Sequence, residues 1–549
     1  MKGYEYIAKL FHEYGVEAVF YQEAYNQAIT AEAAKYGIKG IMAHTENAAG
    51  FMADGYARVS GKPGVAMAQA IGTANLAAGV VDAWLANTPV VALTGMKTPN
   101  YQNRNSYQET DHQRIFSAVT KWNAMAMRPE DSPRLYREAF REAVTGRQRP
   151  VHLDTYGFTG AETEHVDFDE PFFAEPAYGR YPAYRLAADL ELIKKAAKEI
   201  GEAKKPVLVL GRGVFISGAG GEALELAELC DMPVVTTPDG KSSVNETSAY
   251  WAGIVGNYGM DCANRTVRDA DLVIFVGTGT SDQTTLDWTT PDPSRRVIQI
   301  DIAPEELGRN YPNCLGIAGD AKTVLSQLLS NVVLGSRLEW RKQVAAYLAD
   351  TVKRQRELMD KDETPIHTGR LCAELAKFLP DDAILVSDTG YSAVWSSTMI
   401  RVKPGQTYIR AAGSLGWAVP ASIGAKVAKP ERPVICFTGD GGFYYHLAEL
   451  ETAVRNGVNT VVVINNNGML AQCLGGVLYR SDPELGKKAL SFSNISFAEV
   501  ACALGAYGQR VESGAAIGEA LRKALASGRP SVVEVITNPY GPPRPPVEK

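Results

Sequence analysis

Asp440 stands in the glycine cluster Gly439-Asp440-Gly441-Gly442, and further on the apolar run NTVVVIN leads into three consecutive asparagines, Asn465, Asn466 and Asn467. An aspartate and an asparagine amide are both oxygen donors. With a backbone carbonyl nearby they suit magnesium, a hard cation usually held by one or two carboxylates plus phosphate oxygens and water. The glycines beside the aspartate let backbone amides approach an anion, so a phosphate group fits the same place. Read alone, the same residues also describe a helix cap followed by a turn.

The elements around them decide between the two. RPVICFTG reads as a strand, residues 443–456 carry Leu447, Leu450, Ala453 and Val454 at helical spacing, and NTVVVIN reads as a second strand. Strands joined through a helix run parallel, so their carboxyl ends emerge at one sheet edge and bring Asp440 beside Asn467.

The same alternation fills the chain. VEAVF, GIKGIMA, GVAMAQA, PVVALTG and PVHLDT form a first unit; KKPVLVLG, MPVVTT, ADLVIFVGTG and RRVIQIDI a second; AILVSD, QTYIR, RPVICFTGD, NTVVVIN and PSVVEVIT a third. This predicts an α/β protein of three doubly wound parallel-sheet domains, at residues 1–160, 185–335 and 360–540. A polar, proline-rich linker follows the first, a charged helical stretch from LEWRKQ precedes the third, and the proline-rich end NPYGPPRPPVEK reads as a tail or an arm on a neighbour.

At 549 residues the chain supports several cores, and 45% apolar and 21% charged residues are ordinary for a soluble enzyme. A net charge of -6 argues against a nucleic-acid partner. No apolar run reaches roughly eighteen residues and the start is broken by charges, so neither a membrane segment nor a signal peptide is expected, and the predicted location is cytoplasmic. Seven cysteines without a CxxC pair give neither a disulfide framework nor a zinc site.

With Gly439-Asp440-Gly441 and Asn466-Asn467 in this order, the sequence resembles the thiamine-diphosphate-dependent enzymes, whose fingerprint is GDG followed after a fixed gap by NN. Within them it is similar to the acetohydroxyacid synthase and benzoylformate decarboxylase group over essentially its whole length. The resemblance implies pyrimidine-binding, central Rossmann-like and diphosphate-binding domains, with thiamine diphosphate and Mg2+ as cofactors. It implies Asp440, Asn467 and the carbonyl of Met469 as metal ligands, with Gly441 and Gly442 against the diphosphate. HTENAAGFMADGYARVSGKPG resembles the segment whose glutamate bonds the aminopyrimidine ring, which implies Glu46. A carboxyl is needed there because its hydrogen bond to the ring nitrogen favours the tautomer that takes the thiazolium C2 proton. AAGSLGWAVPASIGA implies Leu415 as the wedge between the cofactor's two rings and Gly413 as the carbonyl that receives the aminopyrimidine. SDTGYSAVW implies Gly390 and Tyr391 at the diphosphate, and SYQETDH implies Gln108 facing the reacting carbon. In this family each site is completed by two subunits, so a homodimer is the implied minimum and a homotetramer the expected assembly.

The sequence departs from the family pattern in four places. Where a Gly-x-Pro-Gly-like turn is usual, this chain has Gln22, Glu23, Ala24 and Tyr25. That makes Gln22 and Tyr25 candidates for the substrate pocket, and Glu23 and Tyr25 candidates for proton transfer. Ala68 stands where benzoylformate decarboxylase carries a histidine, so benzoylformate is not the expected substrate. Gln472 and Cys473 occupy the acceptor pocket, although Cys473 also reads as a packed apolar residue. Gly279 and Gln283 replace both arginines of the flavin-binding segment, so flavin is not expected. The expected activity is a lyase or transferase acting on a 2-oxo acid or related small carbonyl compound, by decarboxylation, carboligation or both. Hydrolytic cleavage of a diketone stays open, as does a flavin- or nucleotide-binding redox or regulatory protein.

Overall fold

The computed structural model describes residues 1–22 and 26–542, with the backbone alone at Leu478. Glu23, Ala24, Tyr25 and the last residues of the proline-rich tail lie outside the described residues. Three six-stranded parallel sheets organise the chain. The first contains β1 (Ala18–Tyr21), β2 (Lys39–Met42), β3 (Gly64–Ala68), β4 (Val90–Met96), β5 (Trp122–Met125) and β6 (Val151–Tyr156), in the order β2-β1-β3-β4-β6-β5. The second contains β7 (Pro206–Leu210), β8 (Val234–Thr236), β9 (Trp251–Ile254), β10 (Leu272–Val276), β11 (Arg296–Asp301) and β12 (Cys314–Ala318), ordered β12-β11-β10-β7-β8-β9. The third contains β13 (Ile384–Ser387), β14 (Thr407–Arg410), β15 (Val434–Gly439), β16 (Thr460–Asn466), β17 (Tyr507–Val511) and β18 (Ser531–Ile536), ordered β14-β13-β15-β16-β18-β17.

Each sheet is buried on both faces, which is why its central strands are apolar without alternation. In β4, Val91 and Leu93 join one core cluster while Val90 and Ala92 join the opposite one. In the third sheet Ile435 and Phe437 face one cluster and Val434 and Cys436 the other. The strands that sequence periodicity missed, β5, β9, β12 and β17, are all edge strands of their sheets.

The first and third units dock through two helices, Glu46–Ser60 and Ala418–Ala428. A Cβ on Gly55 would lie 2.2 Å from the carbonyl oxygen of Ala421, and one on Gly424 would lie 1.9 Å from that of Met52. The two backbones are therefore in direct contact, and a side chain at either position would force the helices apart. The linker is a strap rather than a free tether: Phe168 packs edge-on against Tyr6, and the Tyr181 hydroxyl donates to the Ala57 carbonyl at 2.5 Å. The charged stretch forms the helix Leu338–Met359, whose Trp340 Nε1 donates to Pro206 O. The helix expected over 443–456 is two helices, Asp440–His446 and Glu449–Arg455: at the turn between them Leu447 and Ala448 keep helical φ and ψ, but their carbonyls accept from Leu450 N and Glu451 N, three residues on instead of four. Among the described residues no helix is long and apolar enough to cross a membrane.

Candidate active site

β15 and β16 are adjacent and parallel, with Gly439 opposite Asn465. Asp440 follows one strand and Asn467 the other, and both line a cavity of about 540 Å³ at this sheet edge. The three asparagines have separate tasks. Asn465 accepts from Thr368 Oγ1 at 3.2 Å, Asn466 donates to Glu534 at 2.8 Å, and Asn467 leaves the strand to line the cavity, its Oδ1 accepting from Met469 N at 3.3 Å. Asp440 is buried, and its Oδ1 accepts from Gly441 N at 2.9 Å while Oδ2 has no partner. Burial raises its pKa to about 6, against the pull of nearby backbone amides.

The cavity collects most of the residues singled out above. Gly390, Tyr391, Gly413 and Leu415 line it from the segments after β13 and β14; Gly441, Gly442, Met469, Gln472 and Cys473 line it from those after β15 and β16. Cys473 is exposed, so it is not a packed core residue. Gly390 has φ +68°, and a Cβ there would sit 2.8 Å from Gln472 Oε1. On Gly442 a Cβ would sit 2.6 Å from Thr438 Oγ1. Both positions therefore need glycine, and both line the cavity beside a buried carboxylate oxygen that lacks a partner. An anionic tail with a divalent cation against Asp440 fits these residues.

The remaining candidates lie elsewhere. Glu46 is the first residue of its helix and half-buried, with Asn75 Nδ2 donating to Oε2 at 3.0 Å. A Cβ on Gly72 would come 2.5 Å from Glu46 Oε1, so Gly72 and Asn75, in the stretch AIGTAN, shape the space around the carboxyl. Gln108 lines a second cavity of about 380 Å³ with His112 and Asp154, adopts φ +60°, and has a buried Oε1 without a partner. Gln22 follows β1, half-buried. Glu23 and Tyr25 lie outside the described residues. His446, given no role from sequence, holds the Gly416 carbonyl through Nδ1 at 2.9 Å.

Sequence reasoning missed Tyr258, a central-unit residue that lines the main cavity and accepts from Gln472 Nε2 at 3.1 Å. It also missed Asp388, two residues before Gly390 in the same stretch SDTGYSAVW. The buried Asp388 carboxyl accepts from Thr389 N and Gly416 N through Oδ1, and from Ala418 N and Thr438 Oγ1 through Oδ2. Desolvation outweighs these donors and pushes its pKa up to about 6. An unfolded chain releases this proton near pH 3.9. Between those values the native state binds more protons, so the stability from this group is full below about pH 4 and is lost as pH rises through about 6, by roughly 3 kcal/mol. Urea unfolding of cofactor-free wild type and Asp388→Asn across pH 4–7 is expected to show a difference between the two that changes by that amount. A constant difference would mean that the carboxyl ionises normally.

A strand-end cavity with a glycine cradle and an aspartate–asparagine pair, on one of three doubly wound sheets, defines the class. Models of the thiamine pyrophosphate enzyme N-terminal TPP binding domain, central domain and C-terminal TPP binding domain match residues 1–115, 193–328 and 388–535. The chain belongs to the thiamine pyrophosphate (thiamine diphosphate) enzymes, and within them to the acetohydroxyacid synthase group. A probable acetolactate synthase large subunit of Methanocaldococcus jannaschii is 33% identical over 98% of this chain and 92% of its own length. One from Methanococcus aeolicus is 31% identical over 91% of this chain and 86% of its own, and the acetolactate synthase isozyme 1 large subunit of Escherichia coli is 31% identical over 79% and 75%. The protein is a thiamine-diphosphate-dependent decarboxylase or carboligase of the acetolactate-synthase type.

Proposed function

We propose that the protein cleaves a 2-oxo acid with release of carbon dioxide and passes the remaining fragment to a proton or to a second carbonyl compound, working in the cytoplasm with Mg2+ and thiamine diphosphate. The observation that carries this is the buried, unpartnered Asp440 Oδ2 in the glycine-lined cavity. Asp440, Asn467 and the Met469 carbonyl would hold the cation, with Gly390, Tyr391, Gly441 and Gly442 around the diphosphate. Leu415 and Gly413 would orient the rings. When bound, thiamine diphosphate supplies the carbon nucleophile and the electron sink for the bond that breaks. Glu46 would hold and return a proton at the pyrimidine ring nitrogen. Gln108 and Gln22 would face the substrate from the first unit, Gln472 and Cys473 from the third.

Two subunits complete each site in this reading. Glu46 begins the helix whose Arg58, about 18 Å further along at 1.5 Å per residue, reaches the segment bearing Gly413. Glu46 is not among the residues that line the cavity within one chain, and in this reading the Glu46 of a second copy would complete it, in a dimer or a tetramer. Flavin has no part in this reading, because Gly279 and Gln283 stand where the flavin-binding segment carries arginines.

Protein loaded with thiamine diphosphate and magnesium, given pyruvate, longer 2-oxo acids and a diketone panel, is expected to release carbon dioxide from a 2-oxo acid. Cleavage of a diketone alone, without carbon dioxide, would overturn this in favour of the hydrolytic reaction.

A further inference from the structure

The loop that carries Gly413 and Leu415 has its backbone amides held by a carboxylate from another domain. Asp82, fully buried on the helix Gly72–Leu85, accepts from Ala412 N at 2.9 Å through Oδ1 and from Gly413 N and Ser414 N at 3.0 and 2.9 Å through Oδ2. Three consecutive amides on one carboxylate fix the direction of that backbone. Arg58 Nη2 donates to Asp82 Oδ1 at 2.7 Å, and the guanidinium is itself held by Asp54 at 2.7 Å and spans to the Arg410 carbonyl at 2.6 Å. Trp417, just past the loop, donates to Asp54 at 2.8 Å and stacks under the Arg58 guanidinium at 4.3 Å. From the far side Asp388 takes Gly416 N and His446 takes Gly416 O. The 412–416 backbone is thus bonded on one side by Asp82 of the first unit and on the other by Asp388 and His446 of the third.

We propose that Asp82 is a positioning residue that presets the 412–414 backbone, so that Gly413 and Leu415 are in place before the cofactor arrives. This rests on the roles given above to Gly413 and Leu415. The same two helices carry Glu46, Gly72 and Asn75 at their amino ends and Arg58 and Asp82 towards their carboxyl ends. One helix pair thereby orders a pyrimidine carboxyl at one end and a ring-orienting loop at the other.

In Asp82→Asn the amide nitrogen replaces one acceptor oxygen and faces backbone N–H donors. The cofactor-free variant is expected to exchange its 412–414 amide hydrogens at least about tenfold faster than wild type, to bind thiamine diphosphate about tenfold more weakly by tryptophan fluorescence, and to lose kcat at saturating cofactor. Asp239→Asn removes the 3.0 Å pair to Arg410 at the same strand end without touching those amides, and should leave their exchange unchanged. Equal exchange and affinity in Asp82→Asn and wild type would overturn the proposal. So would 412–414 amides in cofactor-free wild type that exchange as freely as an open loop, a measurement that needs no variant to fold. Wild type that does not bind thiamine diphosphate would instead sink the functional reading.

Discussion

Glu46→Gln is expected to lower turnover by about 10²–10⁴-fold at saturating thiamine diphosphate and magnesium, the span a positioned proton-transfer group contributes. The substitution keeps the shape and one acceptor oxygen, so Asn75 retains a partner, but an amide cannot take up and return a proton. The surroundings point to a working group. A Cβ at position 72 would come 2.5 Å from Oε1, so Gly72 leaves room beside the carboxyl. Thr45 already accepts from Ala48 N and so caps that helix. Initial rates of carbon dioxide release give the answer, and a Glu46→Gln enzyme at wild-type rate would remove Glu46 from the chemistry.

Asp440→Ala is expected to abolish retention of magnesium and thiamine diphosphate while sparing the fold. Loss of an outer partner of a metal ligand already costs about 10–100-fold in affinity. A direct ligand should cost more, to be read by equilibrium dialysis or calorimetry. Stability without cofactor should change little, because the substitution relieves the buried, unpartnered Oδ2 while giving up the bond from Gly441 N to Oδ1. A variant that binds magnesium and cofactor at native affinity would place the cation elsewhere. Mixing the two inactive proteins adds a test of the shared site. If Glu46 and Asp440 of different subunits meet, mixed dimers carry one intact site, and random exchange should restore roughly a quarter of wild-type activity. A site built from one chain would restore none.

The cradle around Asp440 was legible because it is local and periodic. An apolar strand, a helix and an apolar strand leave the chain no arrangement but parallel, and that places Asp440 and Asn467 at one edge whatever the rest of the protein does. The central strands were legible because a sheet covered on both faces needs unbroken apolar runs. Edge strands such as β17, Tyr507–Val511, are only half covered and carry Gln509 and Arg510, so they show no such run. The helical periodicity through Leu447 to Val454 was equally visible, but the turn at Leu447 and Ala448 was not, since both residues are compatible with a continuous helix.

Apolar spacing along the chain was enough to read the three parallel sheets, the strand ends that carry the chemistry, and the residue types offered to a cation and a diphosphate. It took the folded molecule to show that Tyr258 of the central unit lines the cavity, and that Asp82, Arg58 and Asp388 hold the loop of Gly413 and Leu415. The division has a physical cause. Sheet topology follows from apolar spacing and chain stiffness over tens of residues. Asp82 meets its amide donors across a domain boundary, 330 residues away at Ala412, and nothing in its neighbours along the chain distinguishes it from a solvated acid until the helices have docked.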